Sequence, residues 1–368
     1  MTVQPNPTSD LRLSHLDGLR TVAIFWVALY HYAYFWTSAG KGTDLLPYDA
    51  VLSRAPLADV GFLGVYLFFI VSGFVIAMSL TRSKSITQFG LNRAIRLWPT
   101  LIICGTITFL VTTQFGPAEL RRSPMEYLIS LTFIPPPHVG KAIGVGDLEW
   151  LDGAYWSLWT EVRFYAIAAL LYFPGRSRFL LLWTAFAIAS SVLHVTAVVK
   201  GGGFETLSRL LFTEYQPYFT AGIALASLYF RQTAWARWLL SFAIAQAFAY
   251  PAMSPSGLFG KEAAGIIIVF AFAIPVLLSN GPIPILSSRL FVMIGMGSYA
   301  YYLLHQNAGM ALLNAFPSES PAVSILTMLG VQAGIVMFSV LLTTRIEAPI
   351  RRFLRARVGN AKQRPKPA

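Results

Sequence analysis

Ten runs of apolar residues follow one another along the chain, joined by short polar segments: 19–37, 61–80, 97–115, 155–173, 179–199, 207–230, 235–254, 263–279, 291–316 and 323–343. Each has roughly the 17–25 residues that a helix needs to cross a bilayer. A soluble protein that buried so many apolar helices would need long polar amphipathic stretches to cover them, and none is present. The fourth run is the least apolar, because it contains Glu161 and Arg163. Shorter apolar pieces such as 127–134 are too brief to span. The pattern predicts an all-α, polytopic membrane helix bundle of about ten transmembrane helices. It divides the chain into an N-terminal segment 1–18, a membrane domain 19–343 and a basic tail 344–368.

Composition agrees with this class. Hydrophobic residues make up 55% of the 368-residue chain and charged residues only 12%, about half of the roughly 25% usual in soluble domains. The charges cluster between the apolar runs and orient the bundle. With the N-terminus inside, inner segments hold 19 of the 28 Lys and Arg residues and outer loops hold 8, while Arg163 lies in a span. The positive-inside rule therefore favours N-in and C-in, and an even number of spans requires the termini to share a side. The setting expected is a cell inner (plasma) membrane.

The net charge of +12 fits anionic lipid headgroups along 351–357 better than nucleic acid. One cysteine, Cys104, falls inside a span, so neither a disulfide framework nor a thiolate metal site is expected. The first apolar run is longer than a signal-peptide core and is expected to be retained. No internal repeat is evident; 116–154 is the longest loop, and the tail 358–368 is expected to be disordered.

Ionisable residues inside a bilayer cost about 2.5–3.5 kcal/mol each on insertion scales and so mark candidate chemistry. Here they are Arg20, His31, Glu161 and His305. Arg20 and His31 are eleven residues apart, which puts them on one helix face about 16 Å apart along the axis. Counting from the span ends brings His31, Glu161 and His305 to similar depths, where two imidazoles and a carboxylate suit a general base or proton relay. Arg93 and Arg96 stand before the third run, with Arg82 and Lys84 upstream; they read as flanking charge or as a clamp for phosphate. The adjacent Ser72 and Gly73 point to close helix packing rather than to a serine nucleophile.

The chain resembles acyltransferase family 3, a family of integral membrane proteins. The resemblance is carried by Leu16-Asp-Gly-Leu-Arg-Thr-Val-Ala with Tyr30-His31, by Gly64-Val-Tyr-Leu-Phe-Phe-Ile-Val-Ser-Gly-Phe74 and by Arg93-Ala-Ile-Arg96. It continues in Trp156-Ser-Leu-Trp-Thr-Glu-Val-Arg-Phe-Tyr165, Ser298-Tyr-Ala-Tyr-Tyr-Leu-Leu-His305 and Glu347-Ala-Pro-Ile-Arg-Arg352. The matches are collinear from residue 16 to 352. The resemblance implies transfer of an acyl group, commonly acetyl, from a cytoplasmic acyl-CoA to a hydroxyl, most often on a carbohydrate or cell-envelope glycan. It implies functional roles for Arg20, His31, Arg93 and Arg96, and its motifs add Tyr66 and Trp156 as candidate substrate-binding residues beside Glu161 and His305 as candidate catalytic ones. No metal is implied. Some relatives carry a fused extracytoplasmic esterase-like domain; none is expected here, so any such partner would be a separate protein. Direct transfer and an acyl-enzyme intermediate both fit. The competing reading is a proton-coupled transporter or flippase that uses the same buried His and Glu residues; inverted repeats would favour it, and the two halves show no such symmetry.

Overall fold

A backbone in lipid has no water to bond to, so each apolar run closes its hydrogen bonds within itself as a helix. The computed structural model describes residues 14–38, 40, 45–46, 48–52, 55–231, 233–253 and 259–361, and among these there is no strand. The first long helices are α1 (Ser14–Tyr30), α2 (Gly64–Arg82), α3 (Ile86–Phe115), α4 (Trp156–Tyr172) and α5 (Phe179–Lys200). They are followed by α6 (Gln216–Arg231), α7 (Ala234–Ala252) and α8 (Phe259–Leu277). The last part of the chain holds α9 (Arg289–Met296), α10 (Ser298–Leu304), α11 (Asn307–Asn314), α12 (Pro321–Leu341) and α13 (Ala348–Ala361). Every apolar run is therefore occupied by helix. By length and composition, the helical stretches Gly61–Arg82, Ile86–Phe115, Arg176–Lys200, Gly260–Leu277 and Pro321–Arg357 are each apolar enough to cross a membrane.

Three places differ from the reading of the sequence. The run 207–230 is not one helix: a short helix, Gly203–Leu210, precedes α6, and the chain turns at Phe212 with φ 44°. Arg163 on α4 holds that turn, donating to the carbonyls of Arg209 and Leu210 (2.8 Å for the latter), so this cation caps a helix C-terminus. The run 291–316 is divided into α9, α10 and α11, with interruptions at Gly297 and at His305–Gln306. The tail is helical to Ala361 rather than disordered from 358, because the π-helical turn Leu342–Glu347 carries α12 on into α13. The N-terminal residues 1–13 and the tail residues 362–368 lie outside the described residues.

The bundle is built around α2. Two-thirds (67%) of the apolar window of Gly61–Arg82 is buried inside the protein, against 22% for Arg176–Lys200, whose Val192 and Val199 face outward. Close packing at Gly73 is realised. A Cβ on Gly73 would lie 2.3 Å from the Phe219 carbonyl oxygen, and one on Gly222 would lie 2.1 Å from that of Ile70. Only hydrogen fits at either point, so α2 and α6 cross backbone against backbone. That contact leaves the Ser72 side of α2 to α4. The helix α3 is 30 residues long and starts at Ile86, N-capped by Ser85. At about 45 Å it exceeds the roughly 30 Å hydrocarbon core. Arg93 and Arg96 therefore lie within a continuous helix rather than in a flanking loop.

The loop before α4 is folded too. Ser123 and Glu126 form a capping box, and Glu126 also accepts the Glu149 backbone N–H at 2.8 Å. Partial burial pushes the Glu126 carboxyl up, but the N–H groups of Glu149 and Ser123, the Ser123 hydroxyl and the Arg122 charge outweigh it and hold the group below the usual carboxylate range.

Candidate active site

A cavity opens between α1, α2, α3, α4 and α10. Arg20, Arg93 and Arg96 enter it from α1 and α3, and Glu161 and Tyr165 from α4. The walls between them are apolar, supplied by Val71, Val75 and Ile76 of α2, Leu97 of α3 and Leu158 of α4. Arg93 and Arg96 are three residues apart on α3 and so share one face. The Arg93 guanidinium donates to Ser79 Oγ at 3.1 Å and lies over the rings of Phe89 and Tyr165, 5.7 and 5.9 Å from their centroids. Its Nε is buried without a hydrogen-bond partner. Arg20 pairs with Asp17 at 3.3 Å. Glu161 is occupied elsewhere, accepting from Ser72 Oγ at 2.6 Å and from the Tyr165 hydroxyl through the same oxygen. Among the described residues no carboxylate lies within ion-pairing distance of Arg93 or Arg96. The cavity thus presents three guanidinium groups to one lining carboxylate, a balance suited to a multiply charged anion. Arg82 and Lys84 are exposed outside it.

The structure brings His31 and His305 together and keeps Glu161 apart from them. His305 Nε2 lies 3.2 Å from His31 Nδ1, and the rings meet edge-on with centroids 5.0 Å apart. Their partners fix the protons. His305 Nδ1 is 2.9 Å from the Tyr302 carbonyl oxygen, which only accepts, so Nδ1 carries the hydrogen and Nε2 keeps its lone pair. His31 Nδ1 faces two acceptors, the Val27 carbonyl oxygen at 3.0 Å and that lone pair, so it carries a hydrogen as well. The neutral pair therefore leaves His31 Nε2 as the unprotonated nitrogen. His31 begins a π-helical turn, His31–Phe35, that ends α1, a local widening often found at functional sites.

Arg20 and His31 occupy different compartments, since Arg20 lines the cavity and His31 does not. Tyr302 connects the two. Its ring lines the cavity, lies 5.5 Å centroid to centroid from His305, and is held by its hydroxyl, 3.0 Å from the Ala154 carbonyl oxygen and 2.8 Å from Ser157 Oγ. Tyr66 and Trp156 are outside the cavity as well. They stack in an aromatic group with Tyr218 and Tyr215, at 4.3 and 5.0 Å, and Phe69 separates that group from the cavity.

Sequence reasoning passed over the residues that hold the break after His305. The Tyr32 hydroxyl, from the π-helical turn beside His31, donates to the His305 carbonyl oxygen. Asp152, fully buried, accepts the N–H of Asn307 and the N–H of Ala154, each at 2.8 Å, and Asn307 Nδ2 returns a bond to the Leu151 carbonyl at 3.0 Å. The only signal available in the sequence was an acidic residue immediately before the apolar run of α4, and by charge counting it belonged to the outer loop. Among the described residues no three His, Cys, Asp or Glu side chains cluster as metal ligands.

Compared with known proteins, residues 13–344 match the family described as an acyltransferase domain. The acyltransferase MdmB of Streptomyces mycarofaciens is 28% identical over 328 residues, covering 81% of this chain and 79% of that protein. No solved structure matches the chain.

Proposed function

The chain belongs to acyltransferase family 3, and on that premise we propose that it is an O-acyltransferase moving an acyl group, most simply acetyl, from a cytoplasmic acyl-CoA to a hydroxyl of a carbohydrate or cell-envelope glycan. The observation that carries this reading is the cavity with three guanidinium groups, in which the Arg93 Nε is buried and unpaired. The diphosphate and ribose phosphate of CoA are the anions such a clamp would take. From Ile76 to Val65 the cavity follows α2 for eleven residues, about 16 Å, leading from the arginines toward Tyr302 and the histidine pair behind it. A donor with a charged head and a long neutral arm matches that succession.

In this reading His31 Nε2 takes the proton of the acceptor hydroxyl while the oxygen attacks the thioester carbonyl. The C–S bond then breaks, and the departing thiolate recovers the proton from the imidazolium. His305 keeps the His31 ring in the tautomer that can do this. Glu161 has no contact with the imidazoles, and its bonds to Ser72 and Tyr165 suit it to shaping the cavity wall.

Arg93→Ala and Arg96→Ala are expected to raise the KM for acyl-CoA about tenfold or more, the loss of a charge-assisted hydrogen bond, with little change in the KM for acceptor. Arg93→Lys should rescue poorly, because an ammonium cannot reproduce the fork. Donor kinetics unchanged in both alanine variants would leave the arginines as flanking charge and remove the support for a donor cavity.

The charge bias supports an arrangement with both ends of the chain cytoplasmic, 1–18 and 344–368 flanking the membrane domain, and 116–154 outside. Cys104 is buried, so added cysteines report cleanly. A membrane-impermeant maleimide on intact cells should label Lys141→Cys and spare Ala368→Cys; the reverse pattern would invert the topology.

A further inference from the structure

The cavity changes character along its length. Its inner part carries Arg93 and Arg96, whereas its outer part is bounded by Val65, Phe68 and Leu158, with the Ser157 and Tyr302 hydroxyls already engaged with one another and with Ala154. Phe68 stands edge-on to Tyr302, ring centroids 6.1 Å apart. Tyr302 cannot retreat without breaking its hydroxyl bonds and displacing the His305 ring behind it. Phe68 is not anchored in this way. It has no polar atom, is only partly buried, and borders the empty volume. The outer end of the cavity therefore has one fixed aromatic member, Tyr302, and one, Phe68, that only its own bulk keeps in place.

We propose that the space under Phe68 and Tyr302 is the acyl subsite and that the Phe68 ring limits the length of acyl chain the enzyme accepts. This rests on the donor reading of the cavity given above. A thioester whose CoA phosphates sit at Arg93 and Arg96 and whose arm follows α2 outward presents its acyl group to this apolar end, beside the wall that backs onto His305. An acetyl methyl needs little room there. Each further methylene has to displace the Phe68 ring or push back into the arm, and a misfitted methylene in an apolar pocket typically changes specificity by about tenfold or more. The substrate class is thus a short-chain acyl thioester, with the limit set by a side chain that takes no part in bond making.

The test is the acyl-chain profile of the purified full-length protein, measured as kcat/KM for acetyl-, butyryl- and hexanoyl-CoA with a common acceptor. The unaltered protein should favour acetyl and fall steeply by hexanoyl. Phe68→Ala should raise the ratio of hexanoyl to acetyl at least about tenfold by vacating the ring, and Phe68→Trp should lower the ratio of butyryl to acetyl. A folded, active Phe68→Ala that keeps the original profile would overturn the assignment of Phe68 and leave the donor cavity standing. If the unaltered protein consumed none of the three thioesters, the donor reading itself would fall. Phe68→Leu, a smaller change in volume, should shift the profile in the same direction. It decides the matter where the alanine variant does not fold, and an unshifted profile in Phe68→Leu would then overturn the proposal.

Discussion

His31→Gln should reduce turnover by at least about 100-fold, at the low end of what removal of a general base costs, while the protein still inserts and unfolds at its usual temperature. A carboxamide fills similar space and keeps a neutral donor; in the companion variant His31→Asn that donor stands at the Nδ1 position, facing the Val27 carbonyl and His305 Nε2. It has no basic nitrogen where His31 Nε2 stands, so it separates structure from chemistry. If the histidine only tied α1 to α10, the substitution would be mild, because the tie survives. His305→Gln should be less damaging, since the role assigned to His305 is to accept from His31 and fix its tautomer, which an amide oxygen can partly do. Initial rates of acyl-CoA consumption and thermal unfolding in detergent, measured side by side, decide it. Normal stability with near-normal turnover in His31→Gln would show that the imidazole is not the base.

What could be read from the sequence divides along a physical line. Lipid imposes length and apolarity on each span separately, so every apolar run was visible locally and every one is helical. Gly73 was visible for the same reason, because a small residue amid large ones has few uses in a span other than close approach. Counting residues from a span end gives depth, and depth was informative for His31 and His305, which do meet. Depth gives no azimuth, however. Glu161 shares their level in that arithmetic and yet faces the arginine cavity, since the α4 face that carries it is turned toward Ser72 on α2. The interruption at His305–Gln306 could not have been read at all. No proline or glycine marks it, and its partners Tyr32 and Asp152 stand 273 and 155 residues away from the groups they bind. A break in a membrane helix is tolerated where other elements satisfy the freed backbone groups, which is a property of the assembled bundle.

That dependence makes Asp152 the residue outside the reacting groups whose loss should matter most. Its two oxygens each take a buried backbone N–H, from Ala154 at 2.8 Å and from Asn307 at 2.8 Å, and thereby join the start of α4 to the start of α11. Asp152→Ala strands both donors in a site with no access to water. Each stranded group costs about 1–3 kcal/mol, so a loss of roughly 2–6 kcal/mol is expected, enough to lower thermal stability sharply. Asp152→Asn is the sharper probe. It has nearly the same volume and keeps one accepting oxygen, but its NH₂ must face one of the two N–H donors, so one bond is kept and the other becomes a repulsion. His305 lies two residues before Asn307, and its ring is set by the Tyr302 carbonyl in the last turn before the break. Shifting the start of α11 should therefore move the His305 ring away from His31. Turnover in Asp152→Asn should fall at least about tenfold at temperatures where the protein remains folded, since small misplacements of a catalytic array are felt strongly in rate. The KM for acyl-CoA should change little, because the arginine cavity is not touched. A residue that merely stabilised the fold would lower the unfolding temperature and leave kcat of the folded fraction intact. Wild-type kcat in folded Asp152→Asn would thus reduce Asp152 to a structural clamp with no hold on the histidine pair.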